Sequence, residues 1–238
     1  MTNAIPPPPP PTTPPWDTPP PTGGGGPLDP PGLEPIPWET PGRPILRALF
    51  ETVKLLLQQP DAGYARVPLH GDFVRPIAFA AILGWVGATL SVLYDALIPS
   101  PFSRIFPGEH EGPFAGSVLA NGLIMLFAPV GTVIGSFFSS ALIHGALMVL
   151  GGASRGFGAT LRAICYSGAT SPLAVIPILG PFVAVLWTWF LQVRGIAVLH
   201  GLPTGKATVA VLLPTILCCA CGAWLWSALL FSLFAGLR

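Results

Sequence analysis

From Phe114 to Leu150 the chain runs for 37 residues without Asp, Glu, Lys or Arg, and further apolar runs occupy about 74–98, 160–178, 179–199 and 207–235. A water-soluble domain cannot hide that much apolar surface, whereas a transmembrane helix requires only about 20 such residues in a row. Charged side chains make up 9% of the sequence, against about 25% in an ordinary soluble domain. The expected fold class is therefore all-α, a polytopic transmembrane helical bundle. A net charge of +1 excludes nucleic acid as a natural partner.

The first 44 residues differ sharply from the rest. They hold 18 of the 31 prolines and the run Gly23–Gly26, with almost no aliphatic side chains. Such a segment cannot bury enough apolar area to offset its ordering entropy, so residues 1–43 are expected to form a disordered tail with polyproline character. No basic region followed by a short apolar core and cleavage site opens the sequence, so insertion is expected to rely on the internal spans.

Residues 44–73 are expected to hold an amphipathic helix and a connector. Helical spacing places Leu46, Leu49, Phe50, Val53, Leu56 and Leu57 on one broad face, with Arg47, Glu51, Lys54 and Gln58 mostly opposite. The stretch is too short to cross a bilayer, and Pro60 should stop it. It suits a helix in the membrane interface and, equally, one packed against the bundle.

The membrane domain is expected over 74–237. As one straight helix, 114–150 would be about 55 Å long, well beyond a hydrocarbon core of about 30 Å. Pro129 and Gly131 therefore mark either a turn between two spans or a kink in one long helix. Charge distinguishes the two. With a single helix kinked at Pro129 and five spans, Arg43, Arg47, Lys54, Arg66, Arg75, Arg155, Arg162, Arg194 and Lys206 share one side, opposite Arg104 and Arg238. Six spans would divide the same eleven charges almost evenly. The positive-inside rule thus selects five spans, with the N-terminus cytoplasmic and the C-terminus outside.

A family resemblance rests on Leu150-Gly151-Gly152, Phe157, Thr160-Leu161-Arg162, Cys165-Tyr166-Ser167, Ile176-Pro177, Gly180, Trp187, Gly195 and His200-Gly201, with Phe50 to Pro60 ahead of them. In this order the residues resemble the bacterial branch of the Yip-domain family, the Ypt/Rab-GTPase-interacting membrane proteins, over roughly 45–235. The resemblance implies a five-span bundle with a cytoplasmic N-terminal region. Eukaryotic members are associated with vesicle traffic and small GTPases. The acidic, Tyr-Gly-Pro-bearing segment before their first span is represented here only by Asp72-Phe73-Val74-Arg75-Pro76.

Three local patterns imitate chemistry. Gly152-Ala153-Ser154-Arg155-Gly156 matches a hydrolase elbow, but no Asp or Glu follows Glu111 to complete a triad. Gly201 to Lys206 has one residue too few between its glycines for a phosphate loop, and Ala207 in place of Ser or Thr. Cys218, Cys219 and Cys221 have a C-x-x-C spacing inside an apolar run and are expected to be small packing residues. No catalytic residue, metal or cofactor is expected.

Polar groups within spans are better pointers, because each is costly in hydrocarbon unless it faces a partner. Asp95, Asn121, His144, Arg162 and Tyr166 qualify. His144, Arg162 and Tyr166 are expected near one another as a polar cluster that contacts a partner or a lipid headgroup. The alternative is that Arg162 snorkels to the interface and His144 bonds a neighbouring helix. Gly131 and Gly135 offer a small-xxx-small face for helix packing. The expected function is a non-enzymatic membrane scaffold or adaptor, its partners the lipid bilayer and a protein taken by the proline-rich tail. Self-association is left open. The competing class is a transporter, channel or lipid-moving protein.

Overall fold

A computed structural model describes residues 34–97, 114–176 and 179–236. The proline-rich stretch 1–33 and Arg104 lie outside the described residues. Within them the secondary structure is helical throughout. A 3-10 turn, Pro37–Glu39, is followed by α1 (Ile45–Gln58), α2 (Pro60–Tyr64), α3 (Val74–Leu97), α4 (Phe114–Val149) and α5 (Gly156–Ser167). A 3-10 segment, Gly168–Val175, continues from α5, and α6 (Gly180–His200) and α7 (Thr204–Gly236) complete the chain.

Local chemistry sets several of these boundaries. Gln59 leaves the helical region, with φ −139° and ψ 67°, because the following proline disfavours helix in the residue before it. Pro60 then opens α2 at the first helical position, where its missing N–H is no loss. At the far end of α4, Gly151 takes φ 64° and donates to the Met148 carbonyl, while the Gly152 N–H reaches the Leu147 carbonyl at 2.7 Å. Gly201 ends α6 in the same way, with φ 66°, its own N–H on Val198 and that of Leu202 on Ala197. Both are Schellman caps, which favour glycine because the left-handed residue carries no Cβ. Leu150-Gly151-Gly152 and His200-Gly201 are thus helix terminators.

Among the described residues, four helices are long and apolar enough to cross a membrane: Val74–Leu93, Ala120–Val149, Gly180–His200 and Thr204–Ser227. The 114–150 run is one α-helix with Pro129 inside it. The stretch expected as a span over 160–178 takes a different form, a twelve-residue α-helix continued by an eight-residue 3-10 segment. Pro172 lies inside that segment, where it cannot donate to an α-helical ladder.

The tightly packed core lies toward one end of the bundle. It joins Leu56 and Tyr64 to Phe79 and Leu83 of α3, Ile143 and Leu147 of α4, Leu191 and Ile196 of α6 and Val211 of α7. α5 runs through its centre, and every residue from Ala159 to Ser167 is buried. Farther along, Leu126 and Phe127 of α4, Phe182 and Leu186 of α6, and Ile216 to Trp226 of α7 are exposed.

Part of the expected tail is folded. Residues 34–43 are described, and within them Ile36 and Trp38 are buried. Of the apolar face expected on α1, Leu56 is buried, beside Ala48 and Thr52, and Leu49, Val53 and Leu57 pack against the core, whereas Leu46 and Phe50 are exposed, as is Ile45. The apolar surface of α1 is wider than its contact with the bundle.

Candidate functional site

Arg162 sits on α5 with its side chain only 1% exposed. A charge in that position persists only if it is paired and hydrogen-bonded. Its Nη2 donates to three consecutive carbonyls, those of His70, Gly71 and Asp72, at 3.3, 3.1 and 2.9 Å. Gly71 has φ 101°, a conformation open to glycine, which lets the connector before α3 turn these carbonyls onto the guanidinium. Nη1 donates to Glu39 Oε1 at 3.4 Å, and the Phe73 ring lies 5.2 Å from the guanidinium carbon. The flat, multiply donating fork of arginine suits this arrangement in a way that lysine does not.

Glu39 Oε1 also accepts from the Tyr166 hydroxyl at 2.5 Å. Burial raises the Glu39 carboxyl above its ordinary value, while the Tyr166 hydrogen bond and the Arg162 charge draw it back down. Beside it, Trp38 Nε1 donates to the Arg75 carbonyl at 2.7 Å, and Arg75 Nη1 donates to the Trp38 carbonyl at 2.8 Å. The Trp38 N–H is satisfied by Thr52 Oγ1 at 2.9 Å. Trp38, Phe79 and Tyr166 form a run of ring contacts with centroids 5.9 and 5.0 Å apart. The end of the proline-rich region is therefore clasped to α1, α3 and α5.

A second polar group lies nearer the start of α5. Thr160 Oγ1 is 3.0 Å from His144 Nδ1 on α4 and 3.0 Å from His200 Nε2 at the end of α6. The Arg155 N–H donates to His200 Nδ1 at 3.4 Å, and the Arg155 guanidinium donates to the Leu199 carbonyl at 3.1 Å. Ser154, the serine of the elbow-like motif, gives its proton to the His200 carbonyl at 2.6 Å. Lys206 Nζ reaches the Gly151 carbonyl at 3.3 Å. The elbow-like and phosphate-loop-like stretches are thus hydrogen-bonded into the connections that end α4 and α6.

α2 forms a third attachment. Tyr64 is fully buried and donates to the Ala163 carbonyl at 3.2 Å. A Cβ added to Gly195 on α6 would lie 2.7 Å from the Tyr64 ring, so glycine is what admits the ring there. Arg194 holds both carboxylate oxygens of Asp61, and its Nη1 donates to Thr204 Oγ1 at 3.0 Å. The Arg194 hydrogen bonds keep the Asp61 carboxyl below its ordinary value.

Of the residues singled out in the sequence, Arg162 and Tyr166 meet, through Glu39, while His144 belongs to the separate Thr160–His200 group. Added Cβ atoms at Gly131 and Gly135 would meet nothing within 4 Å; the close approach of α3 to α4 is at Gly84, against Thr132. Cys218, Cys219 and Cys221 are exposed, so the packing expected of them is not made within this chain, and the Asp95 side chain lies outside those described. Glu39 was hidden in the sequence by its proline-rich neighbours. Trp38 beside it was the available signal, a large apolar side chain in a segment otherwise poor in them.

Apolar helices of membrane-spanning length, with polar groups gathered inside and large apolar side chains outside, define an integral multi-pass membrane protein. The Yip1 domain matches residues 54–233, and the chain belongs to that family. No curated protein and no solved structure matches it significantly.

Proposed function

We propose that this protein is a membrane-embedded scaffold that presents its proline-rich arm, residues 1–33, to a protein partner in the cytoplasm of a bacterial cell. The carrying observation is the clasp at the base of the arm. Glu39 is tied to Arg162 and Tyr166, and Trp38 to Arg75 and Thr52, so the chain leaves the bundle from a fixed point. Both terminal nitrogens of Arg162 are taken up by groups of its own chain, while its Nε is buried without a hydrogen-bond partner, and the hold of the two terminal nitrogens suits a structural clamp for the arm.

In this reading α5 and its 3-10 continuation are the third of five spans. Together they are about 34 Å long, comparable to a hydrocarbon core of about 30 Å. Their central burial shields Thr160, Arg162, Ser167 and Thr170 from lipid. Eight of the nine cationic residues on the N-terminal side then lie toward the cytoplasm, and the ninth, Arg162, is buried within the span. Exposed Ile45, Leu46 and Phe50 on α1 favour contact with the lipid interface.

The test is affinity purification in native-like lipid, comparing the whole chain with one lacking residues 1–33. Partners that depend on the arm are expected. Identical partner sets from the two would overturn the proposal, as would reporter fusions that put both termini in one compartment.

A further inference from the structure

We propose that His144, Thr160 and His200 form a proton-binding site that joins the ends of α4, α5 and α6 to the 151–155 connection while both rings are neutral, and releases that connection on protonation. The inference follows from donor and acceptor inventory. The Arg155 N–H can only donate, so His200 Nδ1 must accept, and neutral His200 carries its proton on Nε2. That proton goes to Thr160 Oγ1, whose own hydrogen is then directed to His144 Nδ1. One direction of bonding satisfies the whole chain: Arg155 to His200 to Thr160 to His144.

A proton added at either accepting nitrogen breaks this order. At His144 the threonine hydroxyl loses its acceptor and has to turn. At His200 the new N–H opposes the main-chain N–H of Arg155, which has no rotor to turn away. The two rings lie 6.3 Å apart, so charging one opposes charging the other. The surroundings offer no carboxylate partner from α4 to α7. Arg155 and Lys206 flank the site, Phe157 packs edge-on against His144, and Arg194 farther back on α6 is taken by Asp61. On α5 the next charge is Arg162, itself held by Glu39. A bound proton is therefore accommodated by letting the Arg155 contact go, together with the Ser154 bond beside it.

The experiment is hydrogen–deuterium exchange on the full chain in lipid nanodiscs at about pH 7.5 and about pH 3.5, a window wide enough to carry buried imidazoles through their change of charge. After correction for intrinsic exchange, amides of 151–157 are expected to lose protection by roughly fivefold on acidification, the equivalent of one net hydrogen bond. Peptides in the middle of α6 should not change. The variants His200→Gln and Thr160→Val should remove the difference between the two pH values. Equal protection of wild-type 151–157 at both pH values would overturn the proposal without recourse to any variant, and so would a pH response that survives in a folded His200→Gln protein.

Discussion

Arg162 and Glu39 stand 123 residues apart in the sequence and meet at 3.4 Å inside the bundle. The contact is asymmetric. Arg162 has three carbonyls besides the carboxylate, while Glu39 depends on Arg162 and Tyr166.

Replacing Arg162 by methionine therefore leaves Glu39 buried without its counter-charge and three carbonyls without their donor. The expected loss is about 3–5 kcal/mol of stability, read as a lowered unfolding midpoint in detergent. Arg162→Lys should recover only part of it, because one ammonium cannot reproduce the spread of the guanidinium. Wild-type stability in R162M would refute the clamp.

The carboxyl of Glu39 gives a pH dependence of definite sign. Its value is raised in the folded chain, mainly by burial, so ionising it is harder folded than unfolded. Its favourable contribution is complete below the ordinary value of 4.5 and is lost as pH rises through the higher folded value. Glu39→Gln should flatten that decline and cost little at neutral pH, since its amide oxygen can still accept from Tyr166 and Arg162. Asp61 has the opposite sign: its contribution is present above its ordinary value of 3.8 and is lost as pH falls through the lowered one. Asp61 is about half exposed in its pair with Arg194, so Asp61→Asn should cost no more than about 1 kcal/mol.

Trp38→Ala removes a buried ring and the donor to the Arg75 carbonyl. A loss of about 3–5 kcal/mol is expected. Proteolysis between residues 34 and 45 should accelerate in the variant, because the arm is no longer clasped at its base. An unchanged cleavage pattern would mean that the clasp does not hold the arm.

Glycine substitutions separate internal packing from the outward face of α4. Gly195→Ala drives a methyl group into the Tyr64 ring and within 3.2 Å of the Ala163 Cβ. Overpacking of this kind costs about 1–3 kcal/mol. Gly131→Ala and Gly135→Ala meet open space and should leave the unfolding midpoint unchanged or raised. Destabilisation by either would show that the outward face is covered by another chain.

The recurrence of apolar runs showed in advance where the long helices lie, because hydrocarbon excludes charge whatever the neighbouring helices are. Pro60 and the glycines of Leu150-Gly151-Gly152 and His200-Gly201 act through their own backbone chemistry, and so could be found in the sequence. Arg162 was legible as costly, since a cation within an apolar run needs a partner. That its partner is Glu39, and that His144 joins His200 across Thr160, was decided only when α5 was enclosed by the other helices. Carboxylate and guanidinium pair through space, and the sequence interval between them carries no trace of the contact. Sequence alone determined that lipid is the solvent for most of this protein. Tertiary packing determined which polar groups share a partner, because burial and hydrogen-bond direction depend on helices far apart in the chain.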